Sequence, residues 1–501
     1  MRRLAIGAVA LLTALLMATP AQAVDEVNTK RLRNAVTVNG ILAHERVFQR
    51  IANQNGGTRA SGLPGYDASV AYVAGRLEAA GYEVTLQPFT FPFFQELSSA
   101  LQQVSPTATD YETGAFTFSG SGEVEGVVVP IDLVIPATPE PSSSSGCEAS
   151  DFPAPPAGPA IALIQRGTCT FEDKAANAQA AGYDAVIIFN EGNPGRTDLF
   201  IGTLGRPFEG LPVVGLSYED AVAINEQLAD GPVTMRVATE TVIDLERETV
   251  NVLADSPTGS DDRVVVVGAH LDSVPAGPGI NDNGSGSSTI LEIAEEMAEL
   301  GIQNRQKLRF AFWGAEEPGL FGSEHYVESL SDAELGTIYA NLNFDMVGSP
   351  NYVRFVYDGD GSDTPTAGPP GSAQIEAIFN NYFAGQDLAS EPTAFDGRSD
   401  YGPFIAVGIP AGGLFTGAEG IKTPEQAAVY GGTAGVAYDP CYHQACDTIN
   451  NLSTKALSEM GDAAAHAVMT LARTRTGFFE DGSRVGRARV ATAERGPQAA
   501  A

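Results

Sequence analysis

VVVVGAHLD, residues 264–272, is the stretch on which the reading of this chain turns. Four successive valines leave the segment no polar face, the pattern of a parallel strand covered on both sides. Further apolar strands are expected at 308–313 and 339–344, with a helix at 287–300 between the first two and another around 323–330 before the third. This β-α-β alternation predicts an α/β sheet domain after Asn251, closed by a last helix over 455–473.

Each of the three strands ends in a residue able to bind a metal. The first leads into His270 and Asp272, the second into Glu316 and Glu317, the third into Asp345. In open α/β sheets ligands bind in the crevice outside the carboxyl ends of the strands, so these groups form a constellation. Nitrogen and oxygen donors without thiolates favour zinc. A carboxylate such as Asp282 has two oxygens and can bridge two ions, which together polarise a peptide carbonyl. Asp272 shares a face with His270 and can accept its second imidazole N–H.

Glu316 and Glu317 are adjacent, so their side chains leave the backbone in different directions. One can bind metal while the other takes a proton from water. A Glu-Glu pair alone usually marks solvated surface. Its place after a buried strand, between two other ligand-bearing strand ends, favours the chemical reading. The Gly-rich segment 279–286 precedes a helix but lacks the lysine of a phosphate-binding loop. His44 and His466 in amphipathic helices, and His325 at a helix start, read as structural or exposed; Trp313 reads as core.

Upstream, Ile41, Val47 and Ile51 recur at helical spacing until Gly56-Gly57 interrupts them. A second helix is expected over 66–80, where Val70, Val73 and Leu77 form a stripe, followed by a strand at 82–91. Between 118 and 245 the character changes to short apolar strands at 127–129, 161–164, 186–189 and 211–214, interrupted by one helix at 171–181. Residues 136–159 are rich in Pro and Ser and read as loop. A separate β-rich module follows from this pattern, with 24–117 and 246–473 on either side as the two parts of the other domain. The tail, 474–501, is expected to be flexible or processed.

Residues 1–23 have the anatomy of a removable signal peptide: Arg2 and Arg3, an apolar run at 4–17, and the small-residue site Ala21-Gln22-Ala23. Cleavage after Ala23 and secretion are expected, and no later stretch is long enough to span a membrane. The 501 residues allow two or three domains, and 43% hydrophobic with 18% charged residues is globular composition. A formal charge of −33 disfavours nucleic acid and anionic lipid as partners. A monomer is expected. Four cysteines in an exported chain point to two disulfides among three possible pairings, with Cys441 and Cys446 close enough for a local loop and Cys147 and Cys169 then left to pair.

The motifs GAHLDSVPAGPGINDNGSG, WGAEEPGLFGSEHYV, NFDMVG, GRSDYGPF and CYHQACDT, in that order, resemble those of the secreted bacterial zinc aminopeptidases of the leucyl type. Their superfamily includes glutamate carboxypeptidase II. NGGTRASGLPGYDASVAYVAGRLEAAGYEV near the start extends the likeness. The resemblance implies a mixed, mainly parallel sheet flanked by helices, the zinc exopeptidase fold. The stretches RGTCTFEDKAANAQAAGYDAVIIFN and LPVVGLSYEDA resemble a protease-associated domain, inserted here at 118–245.

Carried over by motif, the resemblance implies two zinc ions bridged by Asp282, one completed by His270 and Asp345, the other by Glu317 and His443. Glu316 resembles the general base, and Tyr442 the donor to the oxyanion of the tetrahedral intermediate. The bond Asp282–Asn283 is expected to be cis, and Cys441–Cys446 to be paired around Tyr442 and His443. Arg398 is expected to position substrate, and Leu414 and Phe415 to accept its side chain. Some relatives carry calcium near the chain termini; not all of its acidic ligands have counterparts here.

The expected activity is hydrolysis of N-terminal, large apolar residues from peptides with a free N-terminus. A carboxypeptidase acting on acidic dipeptides would need cationic groups for the substrate carboxylates. A non-enzymatic receptor on the same fold would lack metal ligands, whereas all five positions and the base are present.

Overall fold

A computed structural model describes residues 27–475. The signal-peptide segment with its cleavage site, and the tail beyond residue 475, lie outside the described residues. Thr474, at the start of that tail, is buried and its carbonyl accepts from Nε2 of Gln306.

The valine run is the interior of strand Ser260–His270, which lies between the parallel strands Gln306–Trp313 and Ile338–Phe344. Side chains of a strand alternate between faces. Val265, Val267 and Ala269 therefore enter one core with Ile290, Leu291 and Leu457, while Val264 and Val266 enter another with Trp313, Tyr326 and Phe404. Both faces are covered, which is why the run carries no polar position. The same sheet continues outward through the parallel strand Ala411–Phe415 and the antiparallel Phe355–Tyr357.

The helices on the first face are amphipathic. Val38–Gln54, Pro64–Ala79, Gly286–Glu299 and Thr454–Arg473 bury Ile41, Phe48, Val73, Leu77, Ile293, Leu457 and Val468 in one cluster. Thr37 and Ser453 cap two of them, accepting from the backbone N–H groups of Gly40 and Ala456.

On the other side of the sheet, Gln306–Trp313 pairs antiparallel with Thr234–Asp255. That long strand and its antiparallel partner Glu83–Ser105 form a ribbon that runs from the central sheet into the inserted module. The sequence reading expects a strand only at 82–91; the extension exists because pairing along the ribbon supplies hydrogen bonds that the local pattern does not announce. In the module, Gly122–Ile131, Ala160–Gln165, Ala185–Phe189 and Val213–Leu216 pair side by side as parallel strands. Two helices accompany them, Phe171–Ala181 and Tyr218–Leu228, where the sequence reading finds one. The second carries its own signal, Ser217 accepting from the N–H of Asp220. Cys147 pairs with Cys169 inside the module, and Cys441 with Cys446 in the loop before the last helix.

Candidate metal centre

The carboxyl ends of the three central strands deliver their polar residues to one buried crevice. His270 is the last residue of its strand and is 1% exposed. Its Nε2 lies 3.3 Å from Oδ1 of Asp282 and 3.3 Å from Oδ1 of Asp345, with Oε2 of Glu316 at 3.9 Å. Nδ1 points back toward Oδ1 of Asp272 at 3.5 Å. His443 arrives from the disulfide loop, and its Nε2 lies 3.3 Å from Oδ2 of Asp282 and 3.0 Å from Oε2 of Glu317. Asp282 thus offers a different oxygen to each imidazole.

Local structure holds each donor in place. Gly279 adopts φ +58, and a Cβ there would sit 2.3 Å from the carbonyl oxygen of Asp282. Asp447 accepts from the backbone N–H groups of Asn281 and Asp282. The buried guanidinium of Arg59 donates to the carbonyls of Leu271, Pro278 and Gly279. The peptide bond Asp282–Asn283 is cis. Asn283 ties this loop to the next carboxylate, accepting from Met346 N–H and donating to the Phe344 carbonyl on either side of Asp345. Asp345 in turn accepts from the Ser399 hydroxyl at 2.6 Å, and Ser399 accepts from Nδ2 of Asn343.

The electrostatics are those of a carboxylate-rich pocket. Burial alone would lower the pKa of His270, but Glu316, Asp345, Asp272 and Asp282 raise it well above the imidazole range. Burial would likewise depress His443, yet Glu317 and Asp282 push it up to about 11. Desolvation raises Glu317 to about 7 and Glu316 well above its ordinary value. Asp400, buried with both oxygens unpartnered, is pushed up to about 8 by burial, with Asp345 and Asp272 adding to it.

These features suit cations. Oδ1 of Asp345, Oε1 of Glu317 and Oδ2 of Asp272 are buried without hydrogen-bond partners, each such atom costing about 1–3 kcal/mol unless something satisfies it. Donor separations of 3.0–3.3 Å match the edge of a tetrahedron with zinc–ligand bonds of about 2.0–2.1 Å, roughly 3.3 Å. His270, Glu316 and Asp345, and again His270, Asp282 and Glu317, have donor atoms close enough to share an ion.

The remaining residues singled out in the sequence lie around this centre with different degrees of access. Tyr442 stacks on His443 with ring centroids 3.8 Å apart. Its hydroxyl oxygen lies 3.4 Å from Nη2 of Arg398, whose Nη1 donates to Glu419 at 2.7 Å. Phe415 is partly buried and stacks on Phe355. Leu414 faces the opposite side of the strand, fully buried in the main core beside Phe344, so it has no open side toward the crevice. Ser399, Asn343, Arg59 and Asp447 escape the sequence reading. All four stand within quoted stretches, Ser399 in GRSDYGPF, Asn343 in NFDMVG, Asp447 in CYHQACDT and Arg59 in the one beginning NGGTRASGL, the one signal that could have flagged them.

Residues 251–468 match the model of peptidase family M28, and residues 124–224 that of the PA domain. An aminopeptidase of Pseudomonas aeruginosa is 48% identical over 444 residues, covering 87% of this chain and 81% of that protein. Leucine aminopeptidase 2 of Trichophyton equinum is 38% identical over 448 residues, covering 89% and 86%. The solved structure of a zinc aminopeptidase from Bacillus subtilis superposes with a TM-score of 0.60 at 25% identity, covering 88% of this chain and 95% of that one.

Proposed function

The chain belongs to peptidase family M28 and is a zinc-dependent aminopeptidase with a PA domain inserted in its peptidase domain, and we propose that it works with two zinc ions at the crevice just described. His270, Asp345 and Asp282 would hold one, and Glu317, His443 and Asp282 the other. The observation that carries this reading is the single carboxylate of Asp282, with one oxygen 3.3 Å from each imidazole. Zinc, when bound, supplies Lewis acidity toward the scissile carbonyl and toward water.

The protein's own groups complete the reaction. Glu316 accepts a proton from the attacking water as its oxygen bonds to the carbonyl carbon. It returns that proton to the amine nitrogen as the carbon–nitrogen bond breaks. Burial, with Asp282 and Glu317 nearby, raises the Tyr442 pKa, which keeps its hydroxyl a donor. Its oxygen faces Arg398, so its proton is free to stabilise the oxyanion. The substrate's free α-amine meets the carboxylates of Glu316 and Asp345. Phe415 faces the substrate side chain, with Leu414 supporting it from the core.

Large apolar N-terminal residues such as leucine are the preferred substrates in this reading, supported by the leucine aminopeptidase among its relatives. Secretion after cleavage at Ala23 and a monomeric state belong to the same proposal. Among the described residues no helix is long and apolar enough to cross a membrane. The test is hydrolysis of leucyl-4-nitroanilide alongside metal analysis. About two zinc ions per chain, loss of activity on chelation, and loss in Glu316→Ala are expected. Activity that survives zinc removal, or equal cleavage of N-terminally blocked peptides, would refute it.

A further inference from the structure

The strand Thr234–Asp255 returns from the inserted module and carries, near its end, the fully buried Asn251. Its Oδ1 accepts from the N–H of Gly314 at 3.0 Å. Its Nδ2 donates to the carbonyl of Gly322 at 2.8 Å and to Oε1 of Gln87 at 3.0 Å. An N–H must face the amide oxygen and a carbonyl the amide nitrogen, so the side chain fits only one way round.

Gly314 and Gly322 bound the loop that carries Glu316 and Glu317. Within it Ala315, Gly319 and Leu320 hold φ of +52, +141 and +65. Non-glycine residues in that region cost of order 1–3 kcal/mol and persist only where the surroundings over-determine them. Internal bonds curl the loop: the N–H groups of Gly319 and Leu320 donate to the Glu316 carbonyl, and that of Phe321 to the Ala315 carbonyl. Ser61 accepts from Ala315 N–H, and Phe89, Phe91 and Phe93 of the ribbon pack against Ala315. These contacts already bring the two ends together, a Cβ on Gly322 falling 2.2 Å from the Gly314 carbonyl oxygen, and Asn251 adds a side-chain hydrogen bond to each end. The fit is close, since a Cβ on Gly322 would lie 2.4 Å from Oδ1 of Asn251.

We propose that Asn251 is a positioning residue for the reaction: by clamping both ends of the 314–322 loop it sets where Glu316 and Glu317 stand relative to His270 and His443. The inference rests on the reading above, in which Glu316 is the base and Glu317 a zinc ligand. It also makes the return strand of the inserted module part of the support of the active site. An apolar residue at 251 leaves the Gly314 N–H without this acceptor and removes the side-chain bond to the Gly322 carbonyl in the first turn of the helix Phe321–Ser329. Aspartate keeps the acceptor for Gly314 and turns a repelling oxygen toward Gly322.

The experiment compares Asn251→Ala, Asn251→Asp and Thr249→Val in the purified zinc-loaded enzyme. Thr249 is buried on the same strand and its hydroxyl has no partner, so its replacement by valine tests the strand's packing without removing a hydrogen bond to the loop. Both Asn251 variants are expected to lose about 10²-fold in kcat with KM little changed. They should release zinc to a chromogenic chelator about 10- to 100-fold faster, and Thr249→Val should do neither. Should Asn251→Ala fail to fold, Asn251→Asp carries the test alone. Wild-type kcat and zinc release in the Asn251 variants, or the same losses in Thr249→Val, overturn the proposal. Glu316→Ala separates the two readings: if it stays active the site assignment is wrong, whereas if it is dead and the Asn251 variants keep zinc normally, only the clamp is wrong.

Discussion

His270 and His443 face opposite oxygens of one carboxylate, each with Nε2 3.3 Å from a different oxygen of Asp282. Strand order brings the first to the crevice, and a disulfide loop brings the second. Each separation is that of two donors able to share one ion, which is the arrangement from which the predictions below start.

Asp282→Asn should abolish the bridge while keeping the shape of the side chain. An amide offers one oxygen, so the two sites can no longer share it. Zinc per chain is expected to fall and activity to drop by more than about 10²-fold, beyond the loss typical of residues that merely orient a ligand. Metal analysis after dialysis, read beside the rate, checks this; full metal content with normal rate would contradict it.

Ser399→Ala removes the hydroxyl that donates to Oδ2 of Asp345 at 2.6 Å. That bond orients the other oxygen toward His270. Zinc affinity should weaken by about 10- to 100-fold, measured by competition with a chelator of known strength. Asn343→Ala, one step farther from the ligand, should have a smaller effect in the same direction.

Asp400 gives a pH signature in the metal-depleted protein. Its folded-state pKa is raised to about 8 by burial, whereas in the unfolded chain it returns to the ordinary aspartate range. Between those values the folded state holds a proton that the unfolded state releases. The resulting contribution is therefore fully present below the unfolded pKa and is lost as pH rises through about 8. Thermal melts of the chelated enzyme should show stability falling across that window, and Asp400→Asn should flatten the fall.

The two disulfides should separate stability from catalysis. Cys441–Cys446 closes a loop with sequence separation 5, and Cys147–Cys169 one with separation 22. Loop-closure entropy gives the first about 2 kcal/mol and the second about 3 kcal/mol. Yet the short loop holds Tyr442 and His443, the latter at φ +56. Serine at Cys441 and Cys446 should lower kcat sharply for a modest loss in melting temperature. Serine at Cys147 and Cys169 should do the reverse.

Much of the fold was legible because its signals are local. Four β-branched valines in a row favour a strand buried on both faces, and the stripes at Val70, Val73 and Leu77 or along 455–473 repeat at the helical period. The same reading put His270, Glu316, Glu317 and Asp345 at the ends of neighbouring strands, since a parallel sheet sends every such end to one edge. The ribbon and the second helix of the inserted module were missed: the ribbon's length depends on a partner strand far along the chain, and the helix hid among short apolar runs.

What the chain determined by itself was therefore which residue types stand at which strand ends, and through its motifs the family to which it belongs. Only the tertiary structure decided which oxygen of Asp282 meets which imidazole, that Leu414 turns into the core while Phe415 turns away from it, and which groups around the crevice Asn251, Ser399, Arg59 and Asp447 hydrogen-bond. Periodicity reports on neighbours three or four residues apart, but a hydrogen bond between groups tens to hundreds of positions apart leaves no trace in either one's local sequence. It exists because the sheet and its loops bring those groups together after the elements have formed.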